Sequence, residues 1–88
     1  MRLQVRFHGR VQGVGFRATA IHCARGLNIT GFVRNEPDGS VLMEAQGAQP
    51  DLELLLSRIS EHMSRNITRI DRTELPELPK DHAFTITR

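Results

Sequence analysis

Three glycines punctuate the run Gly9-Arg10-Val11-Gln12-Gly13-Val14-Gly15-Phe16-Arg17. Residues of these types at this spacing suit one kind of chemistry. Glycines lack a Cβ, so successive backbone N–H groups can turn toward a common point. Such a nest, beside the positive end of a helix, holds tetrahedral anions. Arg17 follows, where a planar guanidinium can grip two oxygens of one phosphate. The run lacks the Gly-Lys-Ser/Thr ending of a nucleotide-binding P-loop. Spacing alone fits equally well a tight structural turn followed by a surface arginine.

Other reactive side chains are placed less suggestively. His8, His22, His62 and His82 show no paired metal-ligand spacing and read as surface or edge residues. Cys23 falls on or beside an apolar stripe with no histidine partner in a recognisable motif, so it reads as a buried thiol. Asp38, within Pro37-Asp38-Gly39, reads as turn chemistry rather than as a catalytic carboxylate. No metal site and no cofactor are expected.

The elements that must carry the loop follow from periodicity. Arg2 to His8 alternates, with Leu3, Val5 and Phe7 on one face, which marks a half-buried strand. Gly9 to Gly15 is a loop. Phe16, Ala20, Cys23, Ala24 and Leu27 recur at helical spacing, and Asn28 suits a left-handed helix end. Ile29 to Asn35 is a β-branched and aromatic strand, Glu36 to Gly39 a turn, and Ser40 to Gln46 the return strand of a hairpin. Pro50 suits the first turn of a second helix, whose stripe is Leu52, Leu55, Leu56, Ile59 and Met63. Ile67 to Leu75 is a further strand, ended by Pro76 and Pro79, and Ala83 to Thr87 a short last one. The order βαββαβ, with that short C-terminal strand, predicts an α+β sandwich of the ferredoxin-like type. Both helices are expected on one face of an antiparallel sheet.

With 88 residues the chain has room for one domain, 1–88, and one thin core. Hydrophobic residues at 39% and charged residues at 25% are ordinary for a globular protein. No apolar run is long enough to span a bilayer, and the alternating N-terminus has no signal-peptide h-region. A lone cysteine argues against a disulfide-stapled secreted domain, so a cytoplasmic location is expected. The formal net charge of +2 comes from scattered basic residues. It suits a small anionic ligand and makes no nucleic-acid footprint. Nothing demands more than a monomer.

The run Gly9 to Arg17 resembles, at every position, the signature loop of the acylphosphatase family. A second stretch resembles that family's other signature: Thr30-Gly31-Phe32-Val33-Arg34-Asn35, then Pro37-Asp38-Gly39-Ser40-Val41. The likeness covers about half the chain and continues more loosely to Phe84-Thr85-Ile86. It implies hydrolysis of the carboxyl–phosphate bond of small acyl phosphates, without a metal, on a ferredoxin-like fold. It implies a catalytic arginine at Arg17 and a catalytic asparagine at Asn35. The backbone N–H groups of Gln12, Gly13, Val14, Gly15 and Phe16 would bind the phosphate, and inorganic phosphate or sulfate would occupy the same place. There are departures: Asn28 where a glycine is common, Phe32 where Trp or Tyr is common, and Ser64-Arg65-Asn66 in place of a Gly-Pro connection.

Two other functions are compatible with such a fold. RNA-recognition modules share it, but their aromatic motif sits on a central strand. Here Val14 takes one of the aromatic places, and the chain has no Tyr or Trp. The acylphosphatase-like domains of hydrogenase-maturation carbamoyl-transfer proteins usually carry proline after the loop arginine, where Ala18 stands.

Overall fold

The computed structural model describes residues 1–79 and 82–87. The elements are β1 (Arg2–Gly9), α1 (Phe16–Cys23), β2 (Ile29–Asn35), β3 (Val41–Gly47), α2 (Gln49–His62), β4 (Ile67–Leu75) and β5 (Phe84–Ile86). The strands lie in one sheet in the order β4-β1-β3-β2-β5. The βαββαβ arrangement expected from periodicity is present, and four of the strands pair antiparallel. The short last strand adds to β2 in parallel, so the whole sheet is mixed.

The alternation of β1 sends Leu3, Val5 and Phe7 into the core, with exposures of 4%, 0% and 0%. Met43 and Ala45 of β3 and Val33 of β2 join them. Ala20 and Cys23 of α1 and Leu52, Leu55, Leu56 and Ile59 of α2 close over this face. Fully burying a side chain such as Leu or Phe contributes about 1.5–3 kcal/mol, so one continuous cluster holds both helices to one side.

The other face of the sheet carries no helix and is polar. Arg2, though 2% exposed, belongs to this face. Its guanidinium is held by Glu44 at 3.1 Å and Gln46 at 3.3 Å, as a buried charge requires. The edge strand β4 is exposed almost throughout and bears Arg69, Asp71, Arg72 and Glu74. Such charges keep an open edge from pairing with another chain.

The end of α1 departs from the sequence expectation. The helix stops at Cys23, not near Asn28. Beyond it, Arg25 N–H donates to the His22 carbonyl and Leu27 N–H to the Ala24 carbonyl, the tighter spacing of turns. Gly26 then takes φ +79°, and no non-glycine residue among those described has positive φ. Leu27 still packs against the core, which is why its spacing imitates one more helical turn. The Arg58 guanidinium closes the helix end by donating to the carbonyls of Cys23 (3.0 Å) and Arg25 (3.3 Å).

Candidate active site

Residues 10–15 join β1 to α1, and both ends of this loop are anchored. Phe7 and Phe16 pack ring on ring, with centroids 4.8 Å apart and planes tilted by 52°. Val11 is 1% exposed. Arg10 N–H donates to the Asn66 carbonyl (2.9 Å), and Asn66 Nδ2 donates to the Arg10 carbonyl (3.0 Å). The departure at Ser64-Arg65-Asn66 therefore has a structural use: it fastens the loop to the connection before β4.

Gly13 and Gly15 have φ of +75° and +76°, a region that side-chain-bearing residues rarely enter. A Cβ at either position would meet open space, so conformation rather than crowding calls for glycine there. Gly15 is the N-cap of α1 and supplies no side-chain cap, and the first turn has no acidic residue. The first N–H groups of a helix have no intrahelical acceptor, and here no local side chain competes for their partial positive charge.

Asn35 is the last residue of β2, opposite Val41 in the hairpin register. The turn beyond it is tied from several directions. Glu36 N–H donates to the Ser40 carbonyl (2.9 Å). Asp38 Oδ1 accepts the Ser40 N–H (2.9 Å) and hydroxyl (2.6 Å), the Asx-turn chemistry its sequence context suggests. These two bonds from Ser40, the hydroxyl's first, hold the Asp38 carboxyl below its ordinary pKa. From the open face, Arg6 Nη1 donates to Ser40 Oγ (2.8 Å). From the loop side, Gln12 Nε2 donates to the carbonyls of Glu36 (2.7 Å) and Ser40 (2.9 Å). One amide thus joins the glycine loop directly to the turn that follows Asn35.

Between loop and hairpin lies a cavity of about 260 Å³ lined by Val11, Gly13, Gly15, Phe16, Arg17, Ala18, Asn35 and Ile86. That volume lies just below the range of roughly 300–1,000 Å³ for small-molecule pockets. Arg17 and Asn35, far apart in sequence, open onto it together with Gly13, Gly15 and Phe16. Gln12 and Val14 belong to the same loop but not to the wall. Val14 is 39% exposed, and the Gln12 side chain is spent on the hairpin. Among the described residues no carboxylate lies within ion-pair distance of Arg17. Arg17 thus lines the cavity with no such partner among the described residues.

Sequence reasoning missed Ile86, Ala18 and the Gln12 amide. Ile86 arrives only because β5 docks beside β2, and nothing local to it announces that pairing.

The remaining reactive groups lie elsewhere. Cys23 is 2% exposed, and burial pushes its thiol pKa up, against a smaller opposing effect from Arg58. That is the opposite of an activated nucleophile. His8 meets Asp71 at 3.0 Å on the open face, and His22, His62 and His82 are exposed. No three or more His, Cys, Asp or Glu among the described residues are grouped to hold a metal ion. No helix among them is long and apolar enough to cross a membrane. On the open face, Arg34 is engaged by Glu36 at 3.2 Å and lies 5.3 Å from the centre of the Phe32 ring. An aromatic covered in this way offers no free platform for stacking bases.

The chain is similar to known proteins over most of its length. The family model "Acylphosphatase" matches residues 3–86. An acylphosphatase of Salinibacter ruber is 52% identical over 60 residues, covering 68% of this chain and 63% of that protein. One from Oceanobacillus iheyensis is 39% identical over 83 residues, covering 94% of this chain and 90% of that protein. Among solved structures, the acylphosphatase from Bacillus subtilis superposes with a TM-score of 0.86 at 29% identity, covering 99% of this chain and 98% of that one. T. kodakarensis HypF aligns with a TM-score of 0.84 at 26% identity, covering 100% of this chain but 12% of that much longer one.

Proposed function

The chain belongs to the acylphosphatase family, and on that premise we propose that its single domain hydrolyses small acyl phosphates by means of Arg17, Asn35 and the loop Gln12–Phe16. The observation that carries this reading is the meeting of Arg17 and Asn35 at one cavity beside the glycine loop. An acyl phosphate leaves behind a carboxylate whose conjugate acid has a pKa of roughly 4, like that of a side-chain carboxyl. So good a leaving group needs no general acid. The work left to the protein is to neutralise the phosphoryl oxygens and to place a water in line with the bond that breaks.

Arg17 supplies the first, as a guanidinium able to hold two oxygens at once. The loop amides and the uncapped start of α1 add partial positive charge on the same side. Inorganic phosphate or sulfate fits the same place as a competing ligand. Asn35 supplies the second. Its amide both donates and accepts without titrating, and its backbone is fixed by β2 and the tied turn.

The mechanism asks for no metal, and the protein acts as a monomer in this reading. The single buried thiol fits a compartment that keeps cysteines reduced, in keeping with a cytoplasmic enzyme. The test is hydrolysis of acetyl phosphate by the purified chain in excess chelator. Turnover should persist, with competitive inhibition by inorganic phosphate. Loss of activity that returned only on adding a metal would overturn the metal-free mechanism.

A further inference from the structure

The face of the sheet turned away from the helices carries a residue that reaches the turn beyond Asn35 at three points. Arg6 lies on β1, three residues before Gly9. Its Nη1 donates to Ser40 Oγ (2.8 Å) and lies 3.8 Å from Asp38 Oδ2, and its Nη2 lies 3.6 Å from Glu36 Oε1. We propose that Arg6 is a positioning residue for hydrolysis: by holding residues 36, 38 and 40 from outside the cavity, it fixes where Asn35 places the attacking water. This rests on the reading of the site given above and adds to it a residue that does not line the cavity.

Three observations support it. First, the contacts converge beside Asn35. Glu36 follows Asn35 directly, and its carboxylate is engaged from two sides, Oε2 by Arg34 Nε (3.2 Å) and Oε1 by Arg6. The Glu36 side chain is 16% exposed, so salt screens this pairing less than it would a pair in open water.

Second, Arg6 completes the bonding of Ser40. The Ser40 hydroxyl donates to Asp38 Oδ1 (2.6 Å), which leaves its lone pairs for Arg6. The guanidinium thus acts on the Asx turn through the hydroxyl and the Asp38 carboxylate together. A hydrogen bond with a charged donor is about twice as strong as a neutral one.

Third, Arg6 has a fixed path. Arg6 and Arg34 lie opposite Leu42 on either side of β3. Leu42 is 3% exposed although it lies outside the core cluster. The stems of two arginines that meet at Glu36 cover it, as long charged side chains can. One strand therefore sets both halves of the site: the end of β1 carries the glycine loop, and Arg6 holds the turn that follows Asn35.

The test is a kinetic cycle on acetyl phosphate with the wild type, Arg6→Met, Asn35→Ala and the double variant. Arg6→Met keeps a stem over Leu42 and removes every donor. It should lower kcat by about tenfold, less than the roughly hundredfold that a misplacement of one ångström can cost. The inhibition constant of inorganic phosphate should stay within about twofold of wild type, because Arg17 and the loop are untouched. In the Asn35→Ala background the same substitution should change kcat by less than about twofold, because the group it positions is gone. Thermal melts beside the kinetics separate loss of fold from loss of rate.

Arg6→Lys guards against a methionine variant that does not fold. It keeps a charge beside Glu36 but cannot span Ser40 and Glu36 with one fork. It should show the same split with a smaller loss. A wild-type kcat in the folded variants, an equal loss with and without Asn35, or a phosphate affinity that falls along with kcat would overturn the positioning role while leaving the catalytic cavity assigned. A wild type that did not hydrolyse acetyl phosphate would remove the reading of the cavity itself, and the role of Arg6 with it.

Discussion

Arg17 and Asn35 reach the cavity from different elements and are assigned different work, so their losses should differ in kind. Arg17→Ala and Arg17→Lys should both weaken inhibition by inorganic phosphate and lower turnover, because an ammonium cannot reproduce the guanidinium fork. Asn35→Ala should lower kcat and kcat/KM together by about a hundredfold, with phosphate affinity nearly unchanged. That is the pattern of a contact made chiefly in the transition state. Steady-state kinetics with phosphate as inhibitor separates the two. A wild-type rate in folded Asn35→Ala would show that the water is placed by another group.

Gln12 sits between these residues without touching the cavity. Its side chain spans from the loop to the carbonyls of Glu36 and Ser40, and so sets how far the loop stands from the hairpin. Gln12→Leu keeps the bulk and removes both bonds. It should lower kcat about ten- to a hundredfold, the usual cost of misplacing reacting groups by roughly an ångström. The measurement is kcat beside a thermal melt. A change in Tm with no change in kcat would leave Gln12 a purely structural residue. The loop and Arg17 were legible in sequence because their chemistry lies in adjacent positions. The use of the Gln12 amide was not, because its partners lie 24 and 28 residues away.

At the level of elements, strands and turns were legible where alternation and Pro-Asp-Gly spoke directly, as in β1 and the hairpin of β2 and β3. The end of α1 was not, because Leu27 packs on the core from a turn and keeps the spacing of a helix. Gly31 shows a middle case: its place in a motif is visible, but the reason is not. In the sheet Gly31 has φ +135°, and a Cβ there would lie 1.9 Å from the Glu44 carbonyl oxygen of β3. Backbone meets backbone at that point, so no rotamer change relieves the clash. Gly31→Ala should destabilise the fold by at least about 2 kcal/mol, read as a lower midpoint in urea unfolding. Because Gly31 also donates to Ala83, the same variant should loosen β5, and hydrogen exchange at the Thr87 amide should rise.

Across the whole molecule, the sheet order was fixed in type by the βαββαβ pattern, but the parallel docking of β5 was outside what periodicity can show. That order has a consequence for assembly. Arg17 follows β1, Asn35 ends β2, and β3 lies between those strands. The two residues cannot face one cavity until β3 has paired on both sides. Neither hairpin nor helix alone holds the whole site, and the pairing of β1 with β3 joins residues such as Leu3 and Ala45, distant in sequence. Such non-local pairing is slow relative to helix formation. On refolding from urea, hydrolysis should return no sooner than the slowest far-ultraviolet circular dichroism phase. Activity recovered in the dead time, ahead of that phase, would contradict this.

Turnover therefore doubles as a census of native molecules. A chain without tryptophan or tyrosine gives little intrinsic fluorescence to follow. The central placing of β3 makes each catalytic event a report that this strand is paired on both sides.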